Sequence, residues 1–168
     1  MAKLRHENLK NLVQPSLRQG ENLEHVAYGV KQPHFPIIFL IMLLCIAVPM
    51  FLTRDSGLSS ILMAGVGGGL GSALIYIMTK HVALALTDQR MLIIQFRMGK
   101  NWAKIAEWQY SRAQVKTSGF KKLAFITTAK FQAGTENWAL KFNRKLAFAQ
   151  NGAEIDAIEQ ELATKPLL

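Results

Sequence analysis

IIFLIMLLCIAVPMFLTRDSGLSSILMAGVGGGLGSALIYIMT (37–79) decides the architecture of this chain. It contains two apolar runs, Ile37–Thr53 and Leu58–Thr79, separated only by Arg54, Asp55, Ser56 and Gly57. A helix that crosses a hydrocarbon core needs about 20 residues, and about 17 is the lower limit. The second run has 22 residues and no charge, and the first has 17. Four polar or turn-forming residues cannot build a domain, so the two helices must turn straight back. The pattern predicts a two-helix transmembrane hairpin.

Working outward, the residues before the hairpin are polar and charged, unlike a secretory signal peptide with its early apolar run. A mature chain beginning at or near Met1 is expected. The single cysteine, Cys45, lies inside the first apolar run, where it reads as a packing residue. Lys3, Arg5, Lys10, Arg18 and Lys31 precede the hairpin and fourteen Lys and Arg follow it from Lys80 onward, whereas the tip has only Arg54, offset by Asp55. Flanks rich in Lys and Arg stay on the cytoplasmic side. The expected location is the inner (cytoplasmic) membrane, with both termini cytoplasmic and His34, Lys80 and His81 near the headgroups. The net charge of +9 then has a nearby anion in the lipid surface. No basic run with interleaved stacking aromatics points to nucleic acid.

The second helix carries small residues in rows. Ser60, Ala64, Gly68 and Ser72 recur every four positions, Gly65, Gly69 and Ala73 form a second row, and Gly67 and Gly71 a third. Small residues at this spacing let membrane helices approach closely. One row suffices for a hairpin partner, so packing within the hairpin and packing between subunits are both open readings. A pore lining is a further one, without an intramembrane charged ring to support it. Pro49, one turn from the end of the first helix, is expected to kink or stop it.

After the hairpin the period falls to two. Val82–Thr87 and Met91–Met98 flank a tight break at Asp88-Gln89, and Leu92, Ile94, Phe96 and Met98 share one face. Gly99-Lys100-Asn101 marks a turn, followed by strand candidates at Trp102–Trp108, Ala113–Ser118, Leu123–Ala129 and around Trp138–Phe142. Turns are expected at Gly119–Lys122 and Ala133–Asn137. From Ala153 the period becomes helical, with Ile155, Ile158 and Leu162 on one face, ending at Pro166. His25–Lys31 offers a seventh strand. Leu4–Val13 reads as a short amphipathic helix, lying on the membrane or docked on the domain. The expected fold class is an α+β membrane protein: a two-helix transmembrane hairpin plus a small β-barrel or sandwich of about seven strands capped by a C-terminal helix. The segments are 1–35 (N-terminal cytoplasmic), 36–79 (hairpin) and 80–168 (cytoplasmic domain).

VALALTDQRMLII (82–94) resembles the strand–Thr-Asp-x-Arg–strand signature of bacterial pleckstrin-homology-like (PH-like) domains. GENLEHVAYGVKQPHF (20–35) is similar to the lead-in of their membrane-anchored members. The resemblance implies seven strands with a C-terminal helix, and a binding or oligomeric module rather than an enzyme. Independently of the family, Thr87 and Asp88 suit a side-chain-stabilised turn. Arg90 can brace that turn or reach a lipid phosphate.

Catalytic chemistry is not indicated. His6, His25, His34 and His81 lack metal-ligand spacing, and Glu154, Asp156, Glu159 and Glu161 read as the solvated face of a helix. No cofactor and no metal are expected. Trp102, Trp108 and Trp138 are expected to pack the barrel or cover its ends. Two functional classes remain: a non-catalytic membrane scaffold or adaptor that self-assembles and binds protein or lipid headgroups, and an oligomeric pore or transport-related protein using the Gly-rich helix. Expected partners are membrane lipid, further copies of the chain and a membrane or cytoplasmic protein, but not nucleic acid. Candidate lipid-headgroup contacts are Lys80, Arg90, Lys121, Lys122, Arg144 and Lys145.

Overall fold

Alternating and continuous apolar runs after residue 80 build one antiparallel sheet. The computed structural model describes residues 5–33, 35–52, 57–97, 102–145 and 150–164. The elements are α1 (His6–Val13), β1 (Leu23–Lys31), α2 (Phe35–Leu52), α3 (Leu58–Met78), β2 (Lys80–Thr87), β3 (Arg90–Arg97), β4 (Ala103–Ser111), β5 (Val115–Lys122), β6 (Ile126–Ala133), β7 (Glu136–Asn143) and α4 (Asn151–Thr164). A 3₁₀ turn, Gln14–Ser16, follows α1. The chain separates into two units, Met1–Lys31 with Lys80–Leu168, and Gln32–Thr79. His25–Lys31 thus belongs to the sheet, and the segment set apart as 1–35 divides after Lys31.

The strand order is β4-β3-β2-β1-β7-β6-β5. β1 pairs with β2 from Leu23↔Thr87 to Lys31↔Lys80, so the hairpin leaves and rejoins the sheet at one rung. The inner faces of both halves meet in one core, with Leu84, Ile93, Phe131, Leu140 and Phe142 buried beside Ile155 and Ile158 of α4. The sheet is therefore curled on itself as a half-barrel, closed by α4. β2 and β3 are buried on both faces because a second cluster lies behind them: Leu9 and Val13 of α1 pack on Val26, Ala83, Ala85, Leu92, Ile94 and Phe96. The N-terminal helix is docked on the domain, one of the two placements open from sequence.

The β1–β7 seam has a single paired position, Val30↔Lys141. Side chains of α4 complete it. Asn151 accepts from Tyr28 N–H at 2.7 Å and donates to the carbonyls of Tyr28 and Asn143 at 2.9 and 2.7 Å. Glu154 accepts from Val26 N–H at 3.2 Å. Gly29 is required on the inner side of this seam, because a Cβ there would lie 2.8 Å from the buried Phe142 ring.

Two sequence boundaries move. Gly119–Lys122, expected to be a turn, is strand: Gly119 sits at a register shift in β5 with φ +133°, a left-handed value that glycine tolerates. The turn falls instead between Lys122 and Ile126. It is closed by backbone hydrogen bonds from Leu123 N–H to Ile126 O (2.8 Å) and from Ile126 N–H to Leu123 O (3.3 Å). Its residues, Leu123, Ala124 and Phe125, are apolar and so read as strand. The turn at Arg54–Ser56, the Gly99–Asn101 turn, His34, Leu4 and the Pro166 stop lie outside the described residues.

In the second unit, α2 and α3 pack as antiparallel helices. α3 has one window, Ile61–Met78, long and apolar enough to cross a membrane, and the apolar stretch of α2, Phe35–Phe51, is shorter. Helix α2 continues through Pro49 instead of stopping there. Proline has no N–H to give the carbonyl four residues back, which is that of Cys45. A Cβ on Gly67 would lie 1.8 Å from this same oxygen. The helices therefore cross where α2 lacks a donor and α3 lacks a side chain, a geometry suited to a Cα–H···O contact.

Candidate functional site

The small-residue rows of α3 are used unequally. Gly67 faces Cys45, and a Cβ on Gly71 would meet Met42 Sδ at 3.0 Å and Cys45 Cβ at 3.3 Å. The Gly67–Gly71 row is thus the hairpin seam. A Cβ added at Gly65, Gly68 or Gly69 meets nothing within 4 Å. Ser72 is exposed and donates to the Gly68 carbonyl at 2.8 Å, a local bond that satisfies its hydroxyl without a partner helix. Ala64 is half-buried, and Ser60 lies in the first turn of α3. Around these rows the large side chains are exposed on all sides, among them Phe39, Phe51, Ile61, Leu70 and Ile77. A helix apolar all round belongs in a core or in lipid.

The Thr87–Arg90 tetrad and the Gly20–Glu21 lead-in form one buried network. Arg90 donates from Nε and Nη2 to the two Glu21 carboxylate oxygens, both at 2.7 Å, from Nη2 to the Ser16 carbonyl at 2.9 Å, and from Nη1 to Gln109. Thr87 Oγ1 lies 2.7 Å from Glu21 Oε1 and accepts from Arg90 N–H at 3.0 Å. Asp88 and Asn22 close the turn, Asn22 N–H donating to the Asp88 carboxylate at 3.2 Å. The Glu21 side chain is fully buried, and the Arg90 bond holds its carboxyl at about 2, against an ordinary 4.5. Arg90 is raised by the same bond. Its guanidinium is thus spent inside the domain, where it braces the turn.

The other proposed cations divide. Lys122 Nζ reaches Asp156 at 3.0 Å and Glu159 at 2.7 Å, and Arg144 holds Asp156 with two bonds at 2.8 and 2.6 Å. The Arg144 pair and then Lys122 hold Asp156 at about 2. Both cations fasten α4 to the sheet. Lys80, Lys121 and Lys145 are exposed, and Lys145 Nζ lies 5.7 Å from the Phe125 ring centre.

The carboxylates of α4 are not simply solvated. Besides Asp156 and Glu159, Glu154 lies 3.3 Å from His6 and 3.2 Å from His25, and Glu161 3.4 Å from Arg112. Alternation finds the apolar face of a helix but not where its polar face is docked. His81 is half-buried: it packs against Tyr28 and Phe96, bonds the Tyr28 hydroxyl at 2.8 Å, and is pushed down by burial. Trp138 is buried edge-on to Trp108, and Trp102 stacks on Phe96, the centres 5.0 Å apart in each pair. Among the described residues, no group of three or more His, Cys, Asp or Glu is placed to hold a metal ion. What the geometry offers is surfaces: small-residue rows on α3, and exposed lysines beside an apolar turn on the sheet. No family model matches the chain, and no curated protein or solved structure matches it.

Proposed function

We propose that this chain is a non-catalytic, membrane-anchored scaffold that self-assembles through α3 and presents a PH-like domain on the cytoplasmic side. The uncovered Gly65–Gly69 and Gly68–Ser72 rows carry the reading. Of the glycines of α3, only Gly67 and Gly71 would bring a Cβ against α2, and two further small faces stand among exposed large apolar side chains. In lipid, such faces associate by close packing. On this reading both α2 and α3 span the inner membrane, the shorter α2 at the lower limit of length, and the Lys- and Arg-rich flanks stay cytoplasmic. The PH-like assignment is supported by the seven-strand order, the closing helix and the salt bridge between the Glu21 lead-in and Arg90.

The full chain should stay with membranes through an alkaline carbonate wash. In mild detergent it should run at several times the mass of one chain. Gly68→Leu with Gly69→Leu should reduce that mass to a monomer and leave the sheet folded, whereas Gly67→Leu should disrupt the hairpin itself. A monomeric wild type, or an assembly unchanged by the Gly68/Gly69 pair, overturns self-association through α3. A lipid-tight assembly supports the scaffold, and ion flux through reconstituted vesicles supports the pore reading in its place.

A further inference from the structure

One carboxylate joins three elements of the sheet unit. Glu154 of α4 lies 3.3 Å from His6 Nε2 of α1 and 3.2 Å from His25 Nδ1 of β1, and it accepts from Val26 N–H at 3.2 Å. A carboxylate only accepts, so each imidazole gives it an N–H. With both rings neutral the cluster is satisfied and carries one negative charge. One added proton makes an ion pair. A second leaves two imidazolium rings on one carboxylate, which balances only one of them.

His6 resists a proton. Its side chain is 14% exposed. It opens a helix whose N-terminus has no side-chain cap, where a cation meets the positive end of the helix dipole. Among the described residues its charged and titratable neighbours are Glu154 of α4, His25 of β1 and, on its own helix, Glu7 and Lys10. Burial outweighs the pull of Glu154 and holds His6 below its ordinary 6.5. A neutral His6 in the docked helix therefore adds stability above pH 6.5, and that contribution is lost as pH falls from there.

The other end of α1 is fastened differently. Ser16, in the 3₁₀ turn after the helix, accepts from Arg90 Nη2 at its carbonyl (2.9 Å), and its hydroxyl donates to Glu107 at 2.7 Å. The Glu21 partner of Arg90 titrates only at about 2, so this end stays fixed in mild acid. Between the two ends, Leu9 and Val13 lie buried on the outer face of β1–β3. With eight residues, α1 is too short to be stable as an isolated helix, and its place depends on these attachments.

We propose that His6, His25 and Glu154 form a proton-sensitive latch, which holds α1 on the sheet near neutral pH and opens in mild acid, letting the helix swing about the Gln14–Ser16 turn. Release uncovers the apolar outer face of β1–β3 while the inner core stays closed. The latch lies wholly within the sheet unit and does not depend on the membrane reading.

The test uses the full chain in mild detergent with Cys45→Ser and one new cysteine at a time. It reads the rate of reaction with dithiodipyridine, a thiol reagent that works in acid, between about pH 8 and 5. Val26→Cys reports the sheet face beneath α1, Asn11→Cys the exposed side of the helix, and Ala129→Cys the inner core. The ratio of the Val26→Cys rate to the Asn11→Cys rate removes the thiol's own pH dependence. It should be low at about pH 8 and rise below about pH 6.5, by up to about tenfold per pH unit for one proton, with Ala129→Cys protected throughout. His6→Gln keeps an N–H donor without a titrating ring and should remove the rise. His25→Gln should reduce it, because the carboxylate then balances the single imidazolium. No rise with both histidines in place, an unchanged rise in His6→Gln, or Ala129→Cys reacting in step with Val26→Cys overturns the latch. Where His6→Gln opens the helix at every pH, His25→Gln decides: a reduced rise supports the latch and an unchanged one overturns it.

Discussion

Behind β1, β2 and β3 the outward side chains are Val26, Ala83, Ala85, Leu92, Ile94 and Phe96, and the chain covers them with its own α1. Behind β5, β6 and β7 the outward side chains are mostly Lys, Thr, Gln and Asn, with Ile126 and Ala139 among them, and Lys116, Lys121, Lys130 and Lys141 are exposed. A single sheet thus has one outer face covered by its own helix and the other lined with exposed side chains. The difference is anchored at Arg90, which ties the Ser16 carbonyl just past α1 to Glu21 and β3.

The sharpest way to break this contrast is Arg90→Ala. It leaves the buried Glu21 carboxylate unpaired and should cost about 3–5 kcal/mol, read as a fall in the urea midpoint of tryptophan fluorescence in mild detergent. Replacing both partners, Glu21→Leu with Arg90→Met, should cost much less. If the single and double variants lose equal stability, the pair is not what holds the covered half. Leu9→Ala, in the cover itself, should cost about 3 kcal/mol, as buried leucine truncations do. A loss below about 1 kcal/mol would mean that α1 is not packed as described. Acid reads the same region. Glu21 titrates at about 2 in the folded protein against an ordinary 4.5, so its contribution is complete above pH 4.5 and is lost as pH falls from there toward 2. The amount is on the order of 3 kcal/mol, and Glu21→Gln should flatten that part of a stability–pH curve. At the small end, Lys116→Gln and Lys121→Gln on the exposed face should change stability by no more than about 0.5 kcal/mol each. A larger loss would make that face structural and remove the contrast.

How far the sequence revealed this depended on the kind of signal. The two apolar helices α2 and α3, β2, β3 and the Asp88-Gln89 turn are plain, because long apolar runs and a polar break have few other solutions. The two-sided burial of β2 was written in its unbroken apolar letters, but the identity of its cover was not, since Leu9, Leu12 and Val13 fit a bilayer as well as a sheet. The β5–β6 turn was misplaced for two physical reasons: Gly119 relieves a bulge rather than making a turn, and Leu123-Ala124-Phe125 makes a turn from strand letters. The roles of Asn151 and Glu154 in the β1–β7 seam left no local trace, because their partners lie 123 and 128 residues away. Of the candidate sites, the small rows were legible by spacing alone. Which row faces α2 depends on the crossing at Cys45, where Gly67 lies against the carbonyl.

Lys31↔Lys80 is the last rung of the β1–β2 ladder and also the point where the hairpin departs and returns. Any pull from the hairpin reaches both strands at one end and in the same direction. Such a load peels the rungs in sequence, Lys31↔Lys80 first and Leu23↔Thr87 last, instead of shearing them together. The rung that fails last lies beside the Glu21–Arg90 bond. The domain is therefore mechanically soft where it meets its tether and stiff at the opposite end, and stretching would loosen β1 before it disturbed α1.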